Sequence, residues 1–96
     1  MIGSDLFSIQ IKKPTQDAYV GLRFENDKFG NVLVKSIGTD SLASQTPLRV
    51  GTLLFSVNGK AVVNMKPDEV AKCIRDAYGT VVILVQNPAS SRSLVV

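Results

Sequence analysis

The dipeptide Asn58-Gly59 constrains this chain more than any other feature. It joins two runs of strand character, Leu53 to Val57 and Lys60 to Val63. A two-residue connection of this composition is the strongest short hairpin signal, because both central residues of the tight turn need positive φ. Antiparallel β-structure is thereby dictated mid-chain, and the flanking sequence extends it. From Leu6 to Lys13 the residues alternate, with Phe7, Ile9 and Ile11 on one face and Ser8, Gln10 and Lys12 on the other. This predicts a half-buried strand closed by Pro14. Leu22 to Asn26 alternates again and runs into the turn residues Asp27-Lys28-Phe29-Gly30, and Asn31 to Ile37 is a third strand rich in Val and Leu. Thr80 to Gln86 is apolar on both faces, which predicts a central, doubly covered strand.

Two segments read as helical. Asp40 to Gln45 forms a short turn, with Asp40 or Ser41 as its cap and Pro47 as its stop. Pro67 to about Tyr78 is the longer helix. Pro67 suits the first helical position, Asp68 and Glu69 complement the positive end of the helix dipole, Arg75 sits near the negative end, and Gly79 is the expected residue after the end. Val70, Cys73, Ile74 and Ala77 share one face. Lys66 is a poor cap, which points to Asn64 instead. The order strand-strand-strand-short helix-strand-strand-helix-strand predicts an α+β fold, mainly β, with a small sheet curled around one core.

Composition excludes most other designs. Ninety-six residues, 45% apolar and 20% charged, describe one soluble globular domain. The longest unbroken apolar run, Val81 to Val85, is far short of a membrane-spanning helix. Met1 to Ser4 reads as a leader, residues 5–87 as the domain, and residues 88–96 as a flexible tail. With no His and a lone Cys73, neither a zinc site nor a His-dependent triad can be assembled, and the single thiol fits a reducing, cytoplasmic setting. No cofactor or metal is expected. The net charge of +3 comes from eleven basic residues spread among eight acidic ones, without the basic stripe or interleaved aromatics of a nucleic-acid binder. Asp17, Glu25, Asp27, Asp40, Asp68, Glu69 and Asp76 fall in turns or on exposed helix faces, so solvated charges explain them better than a catalytic pair. Cys73, on the buried helix face, is a small hydrophobe rather than a nucleophile. No enzyme is expected.

One segment carries a binding chemistry. In Ala18-Tyr19-Val20-Gly21-Leu22-Arg23-Phe24 a loop enters a strand through a glycine flanked by apolar residues. Consecutive amides that converge there would form a nest for an anion, each bond to a carboxylate contributing on the order of 1.5–3 kcal/mol. A glycine at the start of a strand is in most proteins only a bend, so specificity must come from the rest of the chain. Val20-Gly21-Leu22-Arg23-Phe24, then Leu42-Ala43, then Leu48-Arg49-Val50-Gly51, then Leu54-Phe55-Ser56-Val57-Asn58-Gly59-Lys60, then Glu69-Val70-Ala71-Lys72-Cys73-Ile74-Arg75 closely resembles a PDZ domain over about residues 6–87.

That resemblance implies a small, partly open β-barrel or sandwich of five to six strands with one short and one longer helix. It implies a module that binds the C-termini of other proteins, membrane-protein tails among them, by strand addition, a mode for which PDZ domains are themselves a standing example. The carboxylate-binding loop would be Tyr19, Val20, Gly21 and Leu22, the N–H groups of Val20, Gly21 and Leu22 gripping the carboxylate, with Lys13, or less readily Lys12, as the supporting basic residue. The peptide would pair with residues 22–26 and lie against the helix 67–77. Val20, Leu22 and Ile74 would take the last side chain. Phe24, Pro67 and Ala71 would take the one two before it, with Val70 also in the groove. Arg23 and Lys35 would flank upstream residues and favour an acidic one.

The chain departs from the family pattern at three places. Tyr19 replaces a small residue at the head of the loop, Thr52 replaces an Asp before the fourth strand, and Pro67 stands where many relatives carry a His that binds a Ser or Thr hydroxyl. Pro67 offers neither donor nor acceptor, so an apolar preference is expected there. An alternative within the family is a regulatory domain that screens substrates for a protease, but those relatives usually have a permuted strand order. Leu94-Val95-Val96 has the apolar pattern of a ligand for such a groove, with Leu94 and Val96 as the anchors of a head-to-tail self-association.

Overall fold

The computed structural model describes residues 6–86; the expected leader and the tail, with Leu94 and Val96, lie outside the described residues. In chain order the strands are β1 (Leu6–Lys12), β2 (Leu22–Asn26), β3 (Val32–Ile37), β4 (Leu53–Val57), β5 (Lys60–Ala61) and β6 (Thr80–Gln86). A 3-10 helix (Ala43–Gln45) precedes β4, and α1 (Pro67–Asp76) precedes β6. The strands form one antiparallel sheet in the order β1-β6-β4-β3-β2, with β5 paired to β4. The mainly β fold with one short and one longer helix is the one expected.

Alternation sets which face is covered. Ile9 and Ile11 in β1 pair with Ile83 and Val81 in β6, and Leu54 in β4 pairs with Val85, all six being buried. Burying a side chain such as Ile83 contributes about 1.5–3 kcal/mol, and a register slip by one residue would turn the whole set outward. The Asn58-Gly59 turn closes with φ values of 48° and 83°. Asn58 also ties the hairpin to the sheet: its N–H donates to the Val82 carbonyl and its Oδ1 accepts the Val82 N–H, both at 2.7 Å.

Several expectations are corrected. β6 is central in the hydrogen-bonding order, but only one of its faces is covered, with Val82 and Leu84 still 38% and 36% exposed. The single long helix packs along β2 and β4 on the opposite side, and among the described residues there is no second layer for the outer face. The return strand β5 stops at Ala61 rather than Val63, because the chain turns away: Met65 N–H bonds to Val62 O at 2.9 Å and Asn64 N–H to Gly30 O at 2.9 Å. Asn64, at φ 67°, is thus committed to that crossing and does not cap the helix. Lys66 holds the cap position, and Glu69 Oε1 accepts its N–H at 2.8 Å, which is the half of a capping box that a lysine permits. The short helix begins at Ala43 because Asp40 takes a left-handed conformation, while Ser41 Oγ accepts the Ser44 N–H at 3.2 Å. β3 starts at Val32 because Asn31 belongs to the turn, where the Asp27 carboxylate accepts the N–H groups of Phe29 and Asn31 and the Asn31 side-chain amide. Those donors, the Asn31 side chain first, hold the Asp27 carboxyl below its ordinary range.

A methyl group added at Gly59 would meet nothing within 4 Å, so the cost of substitution there is purely conformational. Gly59→Ala is expected to lower stability by about 1–2 kcal/mol, read as a lower urea midpoint at unchanged slope.

Candidate functional site

β2 ends the sheet: it pairs with β3 along one side and faces α1 along the other. An edge strand beside a helix leaves a groove with unanswered backbone groups. At its head lies the segment Tyr19-Val20-Gly21. The loop's carbonyls turn into the protein, Val20 O accepting from Ala43 N–H at 3.0 Å and Gly21 O from Gly38 N–H at 2.8 Å. Among the described residues, the N–H groups of Tyr19, Val20 and Gly21 have no intramolecular acceptor. Gly21 sits at φ 83°, and a Cβ there would collide with the Ser41 side chain, so glycine is required twice over. Ser41 is buried and anchored, its hydroxyl donating to Gly38 O at 2.7 Å. Tyr19 fits at the head of the loop by lying outside it. Its ring covers Gly38, where a Cβ would come within 2.5 Å of the phenol oxygen.

Below the loop a cleft of about 480 Å³ opens between β2 and α1. Val20, Leu22, Phe24, Ala71 and Ile74 form its apolar floor, and Asp17, Arg23 and Arg75 stand at its margin. Val20, Phe24 and Ile74 are buried and also belong to the core, so the pocket is an opening in the core itself. Of the expected groove residues, Tyr19, Val20, Gly21, Leu22, Arg23, Phe24, Ala71 and Ile74 are thus brought together. Pro67 is half-buried at the far end of α1, about one turn before Ala71, and Lys35 is exposed on β3; neither lines this cleft. Val70 is fully buried beneath the helix, which corrects its placement in the groove. Cys73 is half-buried against the core.

Lys13 requires a larger correction. Its side chain is buried, and its ammonium donates to the carbonyls of Ile74 at 2.9 Å, Arg75 at 2.9 Å and Ala77 at 2.7 Å. A lysine has three donors, and all are engaged at the C-terminal end of α1. Gln16 Nε2 answers the remaining carbonyl there, Asp76 O, at 3.0 Å. The helix therefore stops at Asp76 rather than Tyr78: Ala77 is already extended, and side chains do what a left-handed residue after the end was expected to do. Lys13 is absent from the cleft lining, and Lys12, in register with Thr80, belongs to the exposed face of β1.

The residue that sequence reasoning missed is Arg75, taken only as a partner of the helix dipole. The available signal was its spacing, four residues after Ala71 and one after Ile74, which places it on the cleft side of the helix. Its charge contributes to the field at that end. The Asp76 carboxyl is held below its ordinary range first by the hydrogen bond from Lys72, against its own desolvation, and then by the charges of Lys72, Arg75 and Lys13. Thr52, fully buried, accepts the Arg49 N–H on its hydroxyl at 3.1 Å and so serves turn chemistry, away from the cleft. Among the described residues no cluster of acidic, Cys or His side chains could hold a metal ion.

The family model for the PDZ domain matches residues 8–86. The chain belongs to the PDZ family. PDZ domains are peptide-binding protein-interaction modules, in general non-enzymatic, that take up the C-terminal tails of other proteins. The fold has the same kinship. The third PDZ domain of INAD, in complex with a TRP channel tail, is 17% identical with a TM-score of 0.73, over 86% of this chain and 87% of that one. The second PDZ domain of Dlg1 from the choanoflagellate Monosiga brevicollis is 17% identical with a TM-score of 0.74, over 85% and 98%. A choanoflagellate GIPC PDZ domain bound to GAIP peptide is 20% identical with a TM-score of 0.75, over 90% and 92%. No curated protein matches the chain at a significant level.

In this PDZ domain Lys13 is a structural residue. Lys13→Met, which keeps the apolar stem but removes the ammonium that three carbonyls share, is expected to cost about 2–3 kcal/mol of stability in urea denaturation.

Proposed function

We propose that this PDZ domain captures protein C-termini by strand addition in the groove between β2 and α1, with apolar side chains preferred at the last residue and two before it. The observation that carries this reading is that the N–H groups of Tyr19, Val20 and Gly21 have no intramolecular acceptor among the described residues, while the same three residues line the apolar cleft. Backbone donors converging on one point suit a carboxylate, and the peptide's main chain would extend the sheet beyond β2. Val20, Leu22 and Ile74 take the last side chain; Phe24, Ala71 and Pro67 take the one two residues earlier. Arg23 at the cleft and Lys35 on the neighbouring strand would flank the peptide's upstream residues, where an acidic side chain would gain a modest, salt-sensitive attraction. The TRP channel tail bound by the INAD domain supports membrane-protein tails as a partner class.

At the position two before the end, the assigned lining of Phe24, Ala71 and Pro67 has no side-chain acceptor or donor for a hydroxyl, and desolvating one without a partner costs roughly 1–3 kcal/mol. Fluorescence polarisation with peptides that differ only there should rank Leu or Val above Ser or Thr. Equal or better binding of the hydroxyl peptides would remove the assignment of Pro67, Phe24 and Ala71.

A molecule that ends at Val96 carries such a ligand itself, and capture by a neighbouring copy would run head to tail. Light scattering at high concentration should then show weak association that disappears when Leu94 to Val96 are removed. Association that survives the truncation would eliminate self-capture.

A further inference from the structure

We propose that the guanidinium of Arg75 is the cation that holds the terminal carboxylate of the bound peptide, in place of the lysine expected there. This inference rests on the C-terminus-capturing function proposed above. The amides of Tyr19, Val20 and Gly21 mark where the carboxylate sits. Of the basic residues nearby, Lys13 has donated every proton to helix carbonyls, and Lys12 points to the exposed face of the sheet. Arg23 lines the cleft from β2, in register with Ser36, and a peptide antiparallel to β2 carries its upstream residues past it. Arg75 remains. It stands on the last turn of α1, beside Ile74, and shares the cleft lining with Ala18, Tyr19, Val20 and Gly21.

Two observations show that this guanidinium is available. Among the described residues it has no carboxylate within 4 Å: the ion pair on that helix end joins Lys72 to Asp76 at 2.8 Å. Asp17, which also borders the cleft, accepts a hydrogen bond from the Thr15 hydroxyl at 2.9 Å. The end of α1 would otherwise be hostile to an anion, because a helix C-terminus is the negative end of its dipole. Lys13 and Gln16 cover its carbonyls, and Arg75 then supplies the positive sign toward the cleft. Arginine suits the role because its planar fork matches a carboxylate in two-point contact.

The test uses a labelled peptide ending Leu-Xaa-Val, prepared with a free carboxylate and as the C-terminal amide, against the unaltered chain, Arg75→Met, Arg75→Lys and Lys13→Met. The unaltered chain should prefer the carboxylate. Arg75→Met should cut that preference about tenfold while leaving the amide's affinity unchanged. Arg75→Lys should keep part of it, and the loss should shrink as salt is raised. Lys13→Met, in whatever fraction stays folded, should leave the ratio of the two affinities unaltered. An unchanged ratio in Arg75→Met overturns the proposal for Arg75 alone. A collapsed ratio in Lys13→Met with Arg75 intact does the same. Equal binding of carboxylate and amide by the unaltered chain overturns instead the capture of C-termini, and this inference with it.

Discussion

The buried ammonium of Lys13 at the end of α1 is the contact on which the geometry of the groove depends. Three carbonyls of the last helical turn converge on it, and Gln16 takes a fourth. The chain between β1 and the glycine loop is thereby stapled to the helix, so the amides of Tyr19, Val20 and Gly21 keep a set distance from Ile74 and Arg75. A hydrogen-bonded cation also offsets the negative end of the helix dipole, which would otherwise face the cleft. One side chain thus ends the helix, positions the loop and adjusts the field.

The loop itself works by a division of polarity. Its carbonyls are held by the amides of Gly38 and Ala43, while its own amides at Tyr19, Val20 and Gly21 have no intramolecular acceptor among the described residues. That arrangement needs a left-handed residue with no side chain at Gly21, because Ser41 fills the space where a Cβ would be. Beneath the loop, Val20, Phe24 and Ile74 serve both core and cleft. An apolar ligand side chain would therefore finish a packing layer that the fold leaves open, and the driving force for binding is of the same kind as that for folding.

Much of this was legible in the residues. The strands β2 and β4 fall where alternation placed them, and the tight turn takes positive φ at Asn58 and Gly59, as its composition demands. The glycine loop, Leu22, Phe24, Ala71 and Ile74 meet in one cleft, as the family pattern implied. The helix α1 starts at Pro67 as expected, but its cap and its far end were misjudged because both are settled from outside. Asn64 is drawn off to Gly30, and the carbonyls at the far end are met by residues from the β1–β2 connection. The apolar run of β6 pointed to cover on two faces, yet a run of Val, Ile and Leu reports β-propensity as well as burial, and Val82 and Leu84 stay half-open to solvent.

Local chemistry determined the turns, the strand pattern and the glycine in the loop, because each depends on a residue and its near neighbours in the chain. Which lysine was free to meet a ligand depended on residues far apart. Lys13 and Ile74 are 61 positions apart, and only when β1 is laid beside β6 and the helix returns over β2 do they touch. Sequence pattern marked Lys13 as a basic residue near a binding loop and Arg75 as a favourable charge at a helix end. Tertiary structure reversed their settings, since Lys13 is buried, where an ammonium must satisfy all its protons, whereas Arg75 stands exposed at the rim of the cleft.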